Sequence, residues 1–358
     1  MGPTGPGNDY AQRLENLLEP FSDHRAITLA ETLLERGFTY DAPAAFALAI
    51  GPLPDLEAGP GIPRWLSART EGEDALEEFR QSLVDLAQES DFISFVEQNE
   101  GMLWSILAQS AADYTPEVPA GWMEDFYGYE ADGYHTVLAP AMFPAGGYGA
   151  GIQHPEGHRH VYSIARAEVI GYGEPRLPTG DDLERLAVHE WGHAFSDPAV
   201  FAHPALIADL RPQYEPVAQI MRDQHYPNLP SFVQEQVLRG IDALARKDLY
   251  GQRVHAQHIR DMNSRGFYLT ERVLTELEDY RENRDRYPTF GDFVPTLLSR
   301  MTREEPRSPP PRIHPALWVR LILGGTALVA MLWWIVVGMR RRRERIENME
   351  DFDYPDFG

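Results

Sequence analysis

The chain has 358 residues, 43% hydrophobic and 24% charged, which is enough apolar material for one large globular domain or two small ones. Its formal net charge is -23, and residues 316–358 hold six acidic and six basic side chains, so the remainder carries 49 acidic against 26 basic residues. That balance argues against a nucleic-acid partner. The absence of cysteine excludes disulfides, thiolate ligands and a cysteine nucleophile, so any metal must be held by His, Asp or Glu.

Residues 1–9 lack the basic start and apolar stretch of a secretory signal and read as a disordered leader. From Tyr10 to Gly37 apolar residues recur at three- and four-residue steps, interrupted by Pro20, which predicts two amphipathic helices. A third helix is predicted over 42–50, and two more between Asp74 and Leu107. The pattern then changes to short aromatic and β-branched segments, 134–142, 148–153 and 160–170, which predict a small antiparallel sheet. The run Gly146-Gly147-Tyr148-Gly149-Ala150-Gly151 lacks the lysine of a phosphate loop and reads as a tight turn between strands. His154, His158 and His160 read as a solvated hairpin turn in preference to a metal site.

After Pro178-Thr179-Gly180 the helical period returns, with Asp181 and Glu184 spaced as a capping box for a helix that ends before Asp197-Pro198. Helices also follow over 231–246, 268–284 and 290–300. The globular part is thus residues 10–301. Residues 302–316 form a proline-rich spacer, and 317–339 a single transmembrane helix. Its core, Leu321 to Met339, has no charge and is followed by Arg340 to Arg343, with Trp318, Trp333 and Trp334 where interfacial tryptophans would sit. The positive-inside rule puts the tail, residues 340–358, in the cytoplasm and the globular domain outside. The lack of a signal peptide favours the alternative of a tail-anchored domain in the cytosol.

The helix over 181–196 carries His189-Glu190-Trp191-Gly192-His193. Two histidines one helical turn apart present their imidazoles about 6 Å apart on one face and can grip one tetrahedral ion. In this arrangement Glu190 is the general base toward a metal-activated water, and the ion expected is Zn²⁺. The third ligand of a metzincin is ruled out, because Ser196 and Ala199 stand where that pattern has Gly and His. A downstream acid remains. Glu235 lies in an apolar helical setting 42 positions beyond His193, although it could instead be a surface residue paired with Arg239. Asp242 is its competitor.

Several further motifs join this one: Asp23-His24-Arg25-Ala26-Ile27, Gly37-Phe38-Thr39-Tyr40-Asp41-Ala42, the glycine run at 146–149, and Glu235 with Arg239-Gly240. Gly266-Phe267-Tyr268, leading to Tyr280 and on to Phe293, completes the set. Together, over roughly residues 10–300, they resemble a family of bacterial proteins carrying a domain of unknown function, itself similar to gluzincin metallopeptidases. The resemblance implies an α+β, mostly helical zincin-like fold, with His189, His193 and Glu235 as zinc ligands and Glu190 as catalytic base. The chain departs from the pattern in beginning after the family's usual first segment. It also has Arg239 where an acid often follows the gluzincin glutamate, so Asp242 is left to orient a histidine. Tyr148, Tyr268, His255 and His258 are candidates for stabilising an oxyanion. The expected function is a membrane-anchored zinc metallopeptidase acting on a peptide or protein; the alternative is a catalytically silent binding module of the same fold.

Overall fold

The computed structural model describes residues 7–307, apart from 40, 58, 60, 71, 145, 154 and 155. The expected transmembrane helix and tail lie outside the described residues. Among those described, no helix is long and apolar enough to cross a membrane.

The N-terminal part is helical: α1 (Asp9–Leu18), α2 (Arg25–Glu35), α3 (Ala42–Ala49), α4 (Arg64–Arg69), α5 (Glu73–Glu89), α6 (Phe92–Gln98), α7 (Glu100–Ala111) and α8 (Glu117–Tyr127). Pro20 sits in a 3-10 turn between α1 and α2, as a residue without an N–H should. The stretch after Asp74 divides into three helices, not two, because Asp91 takes a left-handed conformation and Asn99 breaks the following turn. Asn8 and Asp9, expected in the leader, belong to the folded part. Asn8 is fully buried and caps α1 through Ala11 N–H, while its amide donates to the Pro140 carbonyl at 2.8 Å.

Three strands follow, β1 (Gly133–Ala139), β2 (Gly146–Gln153) and β3 (Arg159–Arg166), in the order β1-β3-β2. The sheet is mixed: β3 runs antiparallel to β2 but parallel to β1. An all-antiparallel sheet was expected from treating chain neighbours as pairing partners. Pro140 and Pro144 stand in the β1–β2 connection, where they cannot donate to a ladder, and β3 enters the sheet between the two earlier strands. As the central strand, β3 is the most buried, with Val161, Ser163 and Ala165 fully so.

The glycine run is therefore not a turn but strand β2 itself. Alternate residues of a strand share a face. Here that places Gly147, Gly149 and Gly151 directly against the next helix, α9 (Gly180–Phe201). A Cβ on Gly147 would come within 2.6 Å of Glu190 Oε1, and one on Gly151 within 3.0 Å of the Ala194 Cβ. At Gly149 it would overlap the Glu190 carbonyl oxygen. Only a glycine face lets strand and helix approach this closely.

Helix α9 differs from expectation at both ends. Thr179 precedes it without a side-chain cap, and Glu184 turns instead to Thr115 N–H at 2.9 Å, its hydroxyl at 2.6 Å and the Tyr250 hydroxyl at 3.0 Å. At the other end the helix runs through Pro198. A proline there deprives the Ala194 carbonyl of its donor. Arg159 of β3 supplies the replacement, donating to that carbonyl while its guanidinium lies 4.8 Å over the Phe195 ring.

The remaining helices are α10 (Pro204–Ala208), α11 (Arg211–Tyr214), α12 (Ala218–Asp223), α13 (Leu229–Tyr250), α14 (Gln252–Ser264), α15 (Thr270–Glu282) and α16 (Phe290–Met301). The main core joins α8, α9, α13, α15 and α16 around Trp191, Phe195, Phe232, Val237, Tyr280 and Phe293. Gly192 of α9 sits against Leu238 of α13, and Gly240 of α13 against Val273 of α15, so these helices also pack through glycines. Smaller clusters hold α1 to α6 together.

Gly149→Ala tests the strand–helix apposition. The added methyl has no space without backbone movement, so the unfolding free energy should fall by about 1–3 kcal/mol in urea titrations followed by circular dichroism. An unchanged midpoint would show that β2 and α9 separate at no cost.

Candidate metal centre

Helix periodicity puts His189 and His193 one above the other on α9, with ring centroids 5.0 Å apart and planes at 75°. Both sit at the interface with α13, which brings Glu235 and Asp242 to the same place two turns apart. All of these groups are buried or nearly so: side-chain exposure is 9% for His189, 17% for His193, 6% for Glu190, 6% for Glu235 and zero for Asp242.

Each imidazole has one nitrogen engaged and one turned inward. His189 Nδ1 lies 3.0 Å from Asp242 Oδ2, and His193 Nδ1 lies 3.2 Å from Asp197 Oδ2. The Nε2 atoms face carboxylates beyond hydrogen-bond range. His193 Nε2 is 3.6 Å from Glu235 Oε1 and 3.9 Å from Glu190 Oε2, and His189 Nε2 is 3.9 Å from Glu235 Oε2. Ligand atoms bound at about 2.1 Å to one tetrahedral ion stand about 3.4 Å apart, so these spacings suit a shared cation. Among the described residues, His189, Glu190 and His193 offer ligand atoms all within 4.8 Å of one another, a group that could hold a metal ion.

The electrostatics point the same way. Burial opposes the charge on His193, but Asp197, Glu235 and Glu190 outweigh it and raise its pKa to about 10. Burial likewise works against ionised Glu235, and the charges of Arg239, His189 and His193 reverse this and hold its pKa below the usual range. Asp242 behaves similarly: burial is overcome by its contact with His189 and by Arg246 and Arg239. Glu235 and Asp242 are thus favoured in their charged form, and buried anions of this kind attract a cation.

Glu190 points toward the sheet, its carboxyl against the backbone of Gly147. Arg239, one turn after Glu235, extends Nη2 to within 3.0 Å of Glu235 Oε2 and Nη1 to within 3.5 Å of Asp242 Oδ2. The alternative pairing of Glu235 with Arg239 is therefore present, though buried and beside the histidines instead of on the surface.

Other expected residues lie elsewhere. Tyr148 occupies the opposite face of β2 from Gly147 and Gly149, packed beside Ile164 and Met142 under the Arg166 guanidinium, so its position does not support an oxyanion role. The Tyr268 hydroxyl donates to the Gln213 carbonyl at 2.7 Å, away from the histidine pair. His258 bonds the Arg239 carbonyl at 3.2 Å behind α13, and burial pushes its pKa down to about 3. His255 contacts the Ala243 carbonyl at 2.8 Å. Of the histidines near the hairpin, His158 pairs with Asp132 at 3.0 Å and His160 with His135 at 2.8 Å, while His154 lies outside the described residues.

A family model described as a domain of unknown function (DUF4932) matches residues 66–299. The chain belongs to that family. The match takes in the whole of the sheet, α9 and α13, but leaves out the motifs at 23–27 and 37–42. No curated protein and no solved structure matches the chain.

Two residues of the centre were not singled out from the sequence. Asp197 stands four positions after His193 on the same helix, a spacing that places it beside Nδ1. Gln234 braces it, donating to Asp197 Oδ1 at 2.9 Å. Removing either orienting carboxylate, by Asp242→Ala or Asp197→Ala, should weaken divalent-metal binding by about 10- to 100-fold in competition with a chromophoric chelator. Affinity equal to that of the unaltered chain in both variants would show that the histidines do not depend on them.

Proposed function

We propose that the chain is a zinc-dependent peptidase with His189, His193 and Glu235 as ligands and Glu190 as general base. The observation that carries this reading is the polarity of the two imidazoles. Each Nδ1 is occupied by a carboxylate, each Nε2 is turned toward Glu235, and Glu190 stands beside them without being needed as a third ligand. This matches the requirement of a catalytic zinc site, three protein ligands with one position left for water. Zn²⁺ held there would lower the pKa of a water and polarise a carbonyl.

The chain's own groups account for the proton. Glu190 is buried beside the histidine pair with its carboxyl toward β2, where it could take the proton of an attacking water and return it to the leaving amine. β2 is an edge strand, and its Gly147 touches the Glu190 carboxyl, so an extended peptide laid along that edge would run past the base. This supports peptide over a compact small molecule as the substrate class. The uncharged run at 321–339 supports a membrane-anchored enzyme with the domain outside and the tail in the cytoplasm.

Metal and chemistry separate in two variants. Glu235→Ala should abolish stoichiometric zinc, measured by atomic emission on the purified chain, whereas Glu190→Gln should keep zinc and lose nearly all cleavage of a quenched peptide library. Cleavage by the Gln variant at a rate close to that of the unaltered chain contradicts the mechanism. Stoichiometric zinc without cleavage in the unaltered chain would favour a silent binding module.

A further inference from the structure

Arg239 is a cation placed beside a proposed metal ligand, where one more anion would do more to attract a metal. We infer that Arg239 is a positioning residue that occupies Glu235 Oε2 and leaves Oε1 alone to reach the metal, so that the site keeps three protein ligands and an open position. The inference rests on the zinc-site reading above.

A carboxylate facing a metal can bind through one oxygen or two. Both oxygens of Glu235 face imidazoles, Oε1 toward His193 Nε2 at 3.6 Å and Oε2 toward His189 Nε2 at 3.9 Å, so nothing in the histidine pair itself selects one. Arg239 breaks that symmetry, because its Nη2 is 3.0 Å from Oε2. The contact is an ion pair and lacks the alignment of a hydrogen bond, since Oε2 has no hydrogen-bond donor among the described residues. Its strength comes from charge in a buried setting, the side chains being 13% and 6% exposed.

The guanidinium is also fixed. It lies 5.4 Å over the Phe267 ring, and Nη2 reaches the Tyr226 hydroxyl at 3.4 Å. Nη1 approaches Asp242 Oδ2 at 3.5 Å, the same oxygen that lies 3.0 Å from His189 Nδ1. One cation thus ties the carboxylate of Glu235 to the carboxylate that orients His189, and both respond to its removal. Swinging Arg239 away to free Oε2 would leave two buried carboxylates without it, a costly change.

The test is zinc X-ray absorption on the full chain and its variants. The unaltered protein should show two imidazole nitrogens and two oxygens around zinc. Arg239→Met, which keeps length without charge, should gain one further oxygen neighbour at about 2.1 Å as Oε2 joins. Arg239→Lys should restore the shell of the unaltered chain. An identical shell in Arg239→Met overturns the inference. So does loss of zinc from both variants with unchanged circular dichroism and unfolding midpoints, because Arg239 would then be needed for something other than selecting an oxygen. If the unaltered chain takes up no zinc, both this inference and the metal reading fail. Zinc bound in the expected shell by the unaltered chain but with no change on Arg239→Met sinks this inference alone.

Discussion

The structure depends on holding four acidic side chains together between two packed helices. Glu190 and Asp197 on α9 and Glu235 and Asp242 on α13 converge on two imidazoles and the Arg239 guanidinium, with the charge of Arg246 acting on Asp242, in a largely buried region. Isolated buried charges are expensive, so these groups are tolerable only as a connected set. The surrounding core fixes the separation of the two helices through Gly192 against Leu238, and Val237, Phe232 and Trp191 close the space around it. A change of a few tenths of an ångström between α9 and α13 would part partners that now stand 3.0–3.9 Å apart.

The sheet serves the same constraint from the other side. A strand with ordinary side chains on its inner face would stand about 10 Å from a helix axis and leave Glu190 exposed. With glycine at 147, 149 and 151, β2 lies against the backbone of α9, closes over the Glu190 carboxyl, and still leaves its outer edge without a strand partner. Arg159 joins the two layers once more by filling the hydrogen-bond gap that Pro198 opens in α9. The features that look like flaws in a helix and a strand, a proline in one and three glycines in the other, are what allow the two to meet.

Much of the centre could be read from the sequence because it is carried by single elements with a known period. The 3.6-residue repeat placed His189, Glu190 and His193 together on α9 and put Glu235 and Asp242 on a common face of α13. The same arithmetic reaches Asp197, four residues after His193. Strand order was not legible, since whether β3 pairs with β1 depends on where the connection at 140–145 carries the chain. Tyr148 shows a sharper limit. A strand reverses its facing at each residue, and the sequence does not say which face of β2 meets α9; Tyr148 lies on the other face, packed beside α3 and Arg166. Only the contact of Gly147 with Glu190 decides the matter.

Arg239 shows how a departure from a pattern can carry physical meaning. An acid in its place would add a fifth carboxyl group to the cluster and remove one of the cations that balance it, raising the cost of the fold. The arginine lowers that cost, because one cation lies beside both Glu235 and Asp242. Its presence would also lower the negative charge around a cation held there, and a metal facing fewer anions would withdraw more electron density from a water. The residue that lowers the cost of burying these carboxyl groups is therefore of a kind that would make a metal held beside them a stronger Lewis acid.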